Sequence, residues 1–297
     1  LKERIKMDER LAITCDSTCD LTEELYTRYR IQPVPLGIVL GEELKRDGVD
    51  VGVQDVFDYV KSSGTLPKTS AVSVGEYHEI FKAHTDKGRA VIHINISAEF
   101  SSCYQNAVAA AGLLSEEDPS ARVYVVDSRN LSSGSGHLCI LARELSDSGA
   151  SPEEVFNALE KVKEDLDVSF VLQTLEYLQK GGRCPGILAF GANLLKLRPE
   201  IEVSGGRMVT AKKYRGSMEK SILDYVRGRL EGRQDLDLKR IMITHSYVPG
   251  DIVEKVRALV LELAPFEEVY ETFAGCTVSS HCGPCCLGVL FFKKSQN

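Results

Sequence analysis

Two loops of the sequence carry more hydroxyl groups than their turns require. The loop 67–73 reads PKTSAVS, where Ser73 is explained as a helix cap and Thr69 and Ser70 are not needed for capping. The loop 97–105 reads SAEFSSCYQ and holds three serines. Hydroxyl groups can donate to an anion without adding a charge, and loops often carry binding residues. Both loops are candidate anion-binding segments, although an exposed polar loop is an equally good interpretation of the first.

The loop 97–105 has the stronger case, because it opens a predicted helix that runs towards Leu114. Backbone N–H groups at a helix start lack partners within the helix, and the helix dipole favours negative charge there. One serine suffices as a cap, so three serines and Cys103 exceed that requirement. The pattern therefore predicts an anion site at this helix start.

Basic and imidazole groups occur beside glycine turns. Gly181 and Gly182 allow a sharp turn, after which Arg183 can reach back as a bidentate anion clamp. Taken alone, this segment is better interpreted as a helix stop followed by a solvated arginine. His281 precedes a Gly-Pro turn, which predicts a more rigid position than that of a surface histidine.

The nine cysteines are odd in number and mostly scattered, which argues against a secreted disulfide framework. Cys282 and Cys285 have the spacing of a zinc or redox half-site, with Cys276 and Cys286 nearby. No second matched pair is present in the sequence, so no metal is expected and a zinc or redox module is kept as an alternative.

Composition excludes several functional classes. The 297 residues are 43% hydrophobic with a net charge of −7, which predicts a folded protein without broad attraction to nucleic acid. No apolar run approaches the ~18 residues of a membrane span, and residues 1–10 lack a signal-peptide core, so a cytoplasmic location is expected. The sequence also lacks a Walker loop, a kinase motif set, a Gly-x-Ser-x-Gly elbow and a His-Glu-x-x-His pair.

Short apolar strands alternate with amphipathic helices, which predicts an α/β fold. Helix starts are predicted at Asp20, Ser73, Ser151 and Asp251, each followed three residues later by glutamate. Asp16-Ser17-Thr18 is interpreted mainly as a turn leading to the first of these caps. Two domains are predicted, 11–165 and 166–293. The predicted strands are 11–15, 34–40, 90–96, 123–127, 168–173, 201–203, 239–245, 267–272 and 287–292.

The loops taken together resemble the DegV family of bacterial fatty-acid-binding proteins, which includes the carrier subunits of fatty acid kinase. The resemblance runs from about Ile13 to Phe292 with the motifs in the family's order. Each motif is weak alone, and eight in register are specific. They are DST at 16–18, PL at 35–36, TS at 69–70, the serine loop ending in YQ at 104–105, DS at 127–128, YLQKGGR at 177–183, RG at 215–216 and HxGP at 281–284.

This resemblance implies a two-lobed α/β fold, with a parallel-sheet N-terminal lobe carrying the carboxylate-binding loops and a mixed C-terminal lobe. It implies that Thr69 and Ser101, with their neighbours Ser70 and Ser102, bind a fatty-acid carboxylate. Arg183 and His281 are implied at the head group, where a protonated imidazole is expected to steady an acyl phosphate. Arg215 is implied in docking a kinase.

The expected ligand is a long-chain fatty acid of the palmitate, stearate or oleate type, with no cofactor. The expected partner is a kinase subunit that phosphorylates the bound acid, while the carrier itself catalyses nothing. Transient membrane contact is left open. The alternative is a lipid hydrolase or acyltransferase that uses Ser101 or Ser97 as nucleophile with His281.

Three family motifs differ in this sequence, at five positions. The family's usual TSQPS reads TSAVS at 69–73, and its SGTYQ reads SSCYQ at 101–105. Cys285 stands where the family's H-x-G-P-G motif usually ends in glycine. Thr69 and Ser101 are both retained, so the carboxylate contacts are expected to persist.

Overall fold

The computed structural model describes residues 10–184 and 197–295. Strands and helices alternate through them, with 3-10 turns at Ser17–Cys19 and Lys163–Asp165. The strands are β1 (Leu11–Asp16), β2 (Ile31–Val34), β3 (Gly37–Leu40), β4 (Glu43–Arg46), β5 (Lys68–Ser70), β6 (Ala90–Asn95), β7 (Val123–Asp127), β8 (Leu166–Val171), β9 (Leu197–Ser204), β10 (Arg207–Arg215), β11 (Leu236–Ser246), β12 (Glu268–Phe273) and β13 (Cys286–Lys293). The helices are α1 (Glu23–Arg28), α2 (Val53–Ser63), α3 (Val74–Thr85), α4 (Cys103–Glu117), α5 (Ser133–Asp147), α6 (Pro152–Val162), α7 (Glu176–Gly181), α8 (Met218–Leu230), α9 (Gly250–Leu263) and α10 (Cys276–Cys282).

The chain forms two compact units, one from Leu1–Gly37 with Ser70–Glu164 and the other from Ile38–Thr69 with Asp165–Asn297. The segment between residues 38 and 69 thus packs with the second half of the chain, a grouping that the contiguous division into 11–165 and 166–293 did not contain. Thr69 belongs to the second unit. The domain limits themselves stay a prediction.

The first unit is built on a four-stranded sheet in the order β2-β1-β6-β7, and every pair in it is parallel. β1 is buried along its whole length, as a strand covered on both faces must be. Its carboxyl end and that of β6 lie at the same edge, where open parallel sheets bind ligands. The loop 97–105 leaves this edge.

The second unit contains a six-stranded sheet in the order β10-β9-β8-β13-β11-β12 and a smaller sheet in the order β4-β3-β5. In the larger sheet, β11 and β12 are parallel and the other pairs are antiparallel. The fold class is therefore α/β with one parallel and one mixed sheet, as predicted. No helix among residues 10–184 and 197–295 has the length and apolar character needed to cross a membrane.

The predicted helix starts were right in two cases and wrong in two. Ser73 and Ser151 each accept from the N–H of the glutamate three residues on, and Pro152 occupies the first position of α6. Thr22 caps α1 in place of Asp20, which adopts φ +50° after the 3-10 turn. α9 begins at Gly250, so Asp251 lies inside its first turn and does not cap it.

Each predicted strand has a counterpart. The strand 123–127 has the predicted ends and the others differ at one or both ends, while 34–40 covers the last residue of β2, the break at Pro35 and Leu36, and β3. Three strands were missed, namely β4, β5 and β10. β4 and β10 are largely exposed and rich in charged residues, so they lack the apolar signal of a buried strand. β5 has only three residues.

Candidate functional site

Thr69 and His281 form the centre of the candidate site in the second unit. Thr69 Oγ1 lies 3.1 Å from His281 Nε2, and both residues are partly buried. Thr69 is placed by β5, a strand too short for propensity alone to define. The structure therefore joins two motifs that are 212 positions apart in the sequence.

α10, which carries His281, is anchored at its start by Asp47. The buried Asp47 carboxylate accepts from the Cys276 N–H (2.9 Å) and the Thr277 N–H (3.1 Å), and from the Thr277 hydroxyl (2.7 Å). A carboxylate at this position satisfies amides that have no partner within the helix. Asp47 lies in the segment 38–69 that also supplies Thr69, so one segment positions both partners of the pair. Sequence reasoning missed Asp47.

The YLQKGGR motif packs against the HxGP motif at two glycines. A Cβ placed on Gly181 would lie 2.4 Å from His281 Nδ1, so the imidazole rests directly on the glycine backbone. A Cβ on Gly283 would lie 2.7 Å from Tyr177 Cδ2, and Gly283 also has φ +73°. Both glycines are thus required by close approach: Gly181 to the imidazole of His281, and Gly283 to the ring of Tyr177.

Burial lowers the pKa of His281 to about 4, with a smaller contribution from the nearby positive charge of Arg183. The imidazole is consequently neutral at pH 7, and the protonated form expected with an acyl phosphate stays a prediction. Nδ1 is buried and has no hydrogen-bond partner among the described residues. Arg183 is exposed, and its Nη1 donates to the Gly181 carbonyl at 2.7 Å.

Protein stability should fall as the pH falls through the range set by His281. The pKa of about 4 in the folded protein is below the ordinary value of 6.5, so the unfolded chain takes up the proton first. The contribution of neutral His281 to the free energy of unfolding is complete above pH 6.5 and is lost progressively towards pH 4. We expect the free energy of unfolding of the wild type, relative to His281→Gln, to drop by about 2 kcal/mol between pH 7 and pH 5. Urea denaturation at the two pH values measures it, and a pH-independent difference would contradict the assignment.

Ser101 lies in the first unit, in the loop between β6 and α4. Its Oγ accepts from the Cys103 N–H at 3.2 Å and donates to Cys103 Sγ at 3.1 Å. Ser101 thereby satisfies the first amide of the helix, although Ser102 occupies the N-cap position. Because sulfur is a weak acceptor, the Ser101 proton can be redirected to an oxyanion at little cost. Burial raises the pKa of Cys103 to about 11, so its thiol stays protonated.

The other predicted head-group and docking residues are placed as follows. Ser70 is partly buried, and its Oγ makes a long contact of 3.4 Å with the Ala71 carbonyl. Ser102 is exposed at φ −77°, a conformation open to any residue, so replacing the family's glycine there causes no backbone strain. Arg215 is exposed and ends β10 opposite Leu197. The ligand contacts of these residues stay predictions.

A buried polar network at the end of β1 was also missed. Asp16 is fully buried, and its carboxylate accepts from the Tyr77 hydroxyl (2.5 Å), from Asn95 Nδ2 (3.2 Å to each oxygen) and from the Ile96 N–H (2.9 Å). His93 Nε2 lies 3.3 Å away from it. The turn interpretation of Asp16-Ser17-Thr18 overlooked this role. The signal was available, because a carboxylate directly after a largely apolar strand lies at the ligand-binding edge of a parallel sheet.

Cys285, which replaces the family's glycine, adopts φ +55°. The left-handed region costs a non-glycine residue roughly 1–2 kcal/mol, partly offset by the greater chain entropy of glycine. We therefore expect Cys285→Gly to stabilise the protein by about 0.5–1 kcal/mol in thermal or urea unfolding. Cys285→Ala keeps the strain and is the matched control. Equal stability of the two variants would argue against strain at this position.

The two alternatives receive no support from the geometry. A serine hydrolase needs an acid that orients its histidine, and His281 Nδ1 has no partner among the described residues. The sulfur atoms of Cys276, Cys282, Cys285 and Cys286, all in the described part of the chain, do not come together as a group of three or more that could hold a metal ion.

Comparison with known proteins identifies the family. A family profile described as "Uncharacterised protein, DegV family" matches residues 10–294. A DegV domain-containing protein of Clostridium acetobutylicum is 28% identical over 288 residues, covering 96% of this chain and 99% of that protein.

Solved structures share the fold. A DegV family protein from Thermus thermophilus, described for its fatty acid binding, is 32% identical with a TM-score of 0.83, over 96% of this chain and 99% of that one. The fatty acid kinase B3 protein of Streptococcus pneumoniae, solved with linoleic acid, is 20% identical with a TM-score of 0.81, over 95% and 99%. At that identity the second likeness shows the fold alone. Because the family profile spans nearly the whole chain and this structural relative is 32% identical over it, the protein belongs to the DegV family.

Proposed function

We propose that this protein binds a long-chain fatty acid without chemically changing it and presents the carboxylate to a partner kinase. The observation that carries the proposal is the Thr69 hydroxyl, held 3.1 Å from a neutral, partly buried imidazole that rests on Gly181. The relative from Thermus thermophilus, a DegV family protein described for its fatty acid binding, supports the choice of ligand.

The neutral state of His281 defines what Thr69 can do. If the ring proton is on Nε2, it donates to Thr69 Oγ1, and the threonine hydroxyl then donates its own proton onward to a carboxylate oxygen. This arrangement delivers one oriented donor and no positive charge. A carboxylate held by such donors keeps its negative charge and stays available as a nucleophile for phosphoryl transfer by the partner.

Ser101 supplies the second donor in this proposal. Its hydroxyl exchanges the weak contact with Cys103 Sγ for a charge-assisted hydrogen bond to the carboxylate. The Cys103 N–H continues to hold Ser101 Oγ in place, so the hydroxyl turns without moving its oxygen. Ser70 and Ser102 lie beside these two residues in the chain and are proposed to complete the polar end.

The acyl chain supplies most of the affinity. Burying a methylene group is worth roughly 0.8 kcal/mol, so ~14 methylenes give about 11 kcal/mol before the costs of association. The head-group residues then fix the orientation of the acid. This division predicts that polar substitutions weaken binding without abolishing it.

After phosphoryl transfer, the head group carries more negative charge. That charge would raise the pKa of His281 from its low unliganded value and so favour the imidazolium beside Arg183. Arg183 can then pair with the acyl phosphate as a bidentate donor. Phosphate stabilisation by the imidazolium is thus proposed to follow the reaction, whereas the imidazole is neutral before it.

The identity of copurifying lipid tests the proposal directly. Mass spectrometry of protein purified under native conditions should find close to one long-chain fatty acid per chain. Delipidated protein should regain the acid on addition of oleate or palmitate. If delipidated protein binds neither oleate nor palmitate, the proposed function is wrong.

Arg215 tests the kinase part separately. We expect Arg215→Ala to leave the lipid content intact and to weaken productive docking with a fatty acid kinase about 10-fold, as loss of an interface arginine commonly does. Turnover is measured with ATP at increasing concentrations of the carrier. Arg207→Ala, an exposed arginine at the other end of β10, is the control. Equal turnover of wild type and Arg215→Ala would remove Arg215 from the docking surface.

A further inference from the structure

Three fully buried cysteines converge inside the first unit, outside the proposed lipid head-group site. They are Cys15 in β1, Cys19 in the adjoining 3-10 turn and Cys139 in α5. Their sulfur atoms all lie within 4.8 Å of one another, and Cys139 Sγ is 3.7 Å from Cys19 Sγ. All three are free thiols.

The backbone is built to bring these sulfurs together. Gly136, one turn before Cys139, faces the 3-10 turn so closely that a Cβ would lie 2.7 Å from Leu21 Cδ2 and 2.8 Å from the Cys19 carbonyl oxygen. Any larger residue at this position would push α5 away from the turn and separate Cys139 from Cys19. The contact therefore depends on a glycine.

The surroundings are not those of a plain apolar core. Thr18, next to Cys19, is fully buried, and its hydroxyl has no hydrogen-bond partner among the described residues. Asp16 and Asp20 are buried as well, each adjoining a cysteine in sequence. A buried cysteine usually behaves as a small hydrophobic residue, yet three sulfur atoms within 4.8 Å of one another offer a ligand set for a metal ion.

We propose that Cys15, Cys19 and Cys139 form a three-thiolate site for monovalent copper, Cu(I). Metal–sulfur bonds of about 2.3 Å place thiolates roughly 3.8–4.0 Å apart, and the Cys139–Cys19 separation of 3.7 Å is close to that range. Soft thiolates select soft ions and disfavour calcium or magnesium. Structural zinc sites take four ligands, whereas this group offers three among the described residues, which favours a three-coordinate ion.

The test uses the reduced full-length protein without oxygen, titrated with Cu(I) against a chromogenic Cu(I) chelator. We expect one tightly held ion per chain and three sulfur neighbours at about 2.3 Å by X-ray absorption. Cys139→Ala should weaken Cu(I) binding more than about 100-fold, because even the loss of an outer partner costs 10–100-fold. Cys282→Ala, a buried cysteine of the other unit, is the control and should not change it.

A second measurement uses the wild-type protein, so its result does not depend on whether the Cys139→Ala variant folds. Cu(I) loading should shield these three cysteines, and not the other six, from alkylation in mild denaturant, as peptide mapping would show. Equal Cu(I) affinity in Cys139→Ala, uniform alkylation of all nine cysteines, or preference for zinc with four ligands would overturn the proposal. Copper that is held only at chelator-accessible surface thiols would overturn it too.

Discussion

Replacing Thr69 and Ser101 together with alanine is expected to weaken fatty-acid binding by about 100-fold, and each single replacement by about 10-fold. A hydrogen bond to a charged group contributes roughly 1.5–3 kcal/mol, and a tenfold change in affinity corresponds to about 1.4 kcal/mol. Binding should persist in the double variant, because the buried acyl chain supplies most of the free energy. Displacement of a fluorescent fatty acid measures the affinity, and mass spectrometry measures the retained lipid.

The control for this pair is Thr65→Ala with Ser115→Ala. Thr65 is an exposed hydroxyl four residues before Thr69, and Ser115 is exposed on α4, the helix that follows Ser101. The control should bind as the wild type does. Oleate or palmitate retained undiminished by the Thr69/Ser101 variant would show that these hydroxyls do not hold the carboxylate.

Removing the Asp16 carboxylate is expected to produce the largest loss of stability. Asp16→Ala would leave the Tyr77 hydroxyl and the Ile96 N–H without their acceptor in a fully buried site, and Asn95 Nδ2 with only the Tyr77 hydroxyl at 3.1 Å. Unsatisfied buried donors cost roughly 1–3 kcal/mol each, and breaking a buried charged network costs about 3–5 kcal/mol. Urea denaturation should therefore show a decrease of about 3–5 kcal/mol in the free energy of unfolding.

Two further variants, Asp127→Ala and Tyr77→Phe, provide stability losses with which that of Asp16→Ala can be compared. Asp127 ends β7, a strand paired directly with β6, and its carboxylate accepts from the Ala98 and Arg129 N–H groups while only partly buried. Asp127→Ala should cost about 1–2 kcal/mol. Tyr77→Phe removes one donor and leaves the acceptor its other partners, so its cost should be similar. An Asp16→Ala protein as stable as Asp127→Ala would show that the network contributes little.

The two proposals can fail independently. Substitution of Cys139 tests Cu(I) binding and does not touch Thr69, Ser101 or His281. Loss of lipid binding in the Thr69/Ser101 variant leaves the three buried sulfurs of the first unit intact. Each site therefore has a readout that the other does not influence.

The sequence by itself determined the class of fold and the chemistry of the head-group loops. Strands such as β1 and β6 are nearly continuous apolar runs, which mark a buried parallel sheet regardless of tertiary context. Caps at Ser73 and Ser151 involve residues only three positions apart, so local chemistry specifies them. The family motifs identified Thr69, Ser101 and His281 as candidate residues.

Only the tertiary structure decided how those residues behave. The neutral state of His281 depends on burial and on Arg183, and its position depends on Gly181 and on Asp47, which anchors its helix. A sequence pattern depends on residues that are close together in the chain, whereas these contacts join segments about 100 to 230 positions apart. The same holds for the three cysteines, scattered in sequence and gathered by the approach of α5 to a turn. Periodicity specifies which face of an element is buried, and packing alone specifies which side chains meet there.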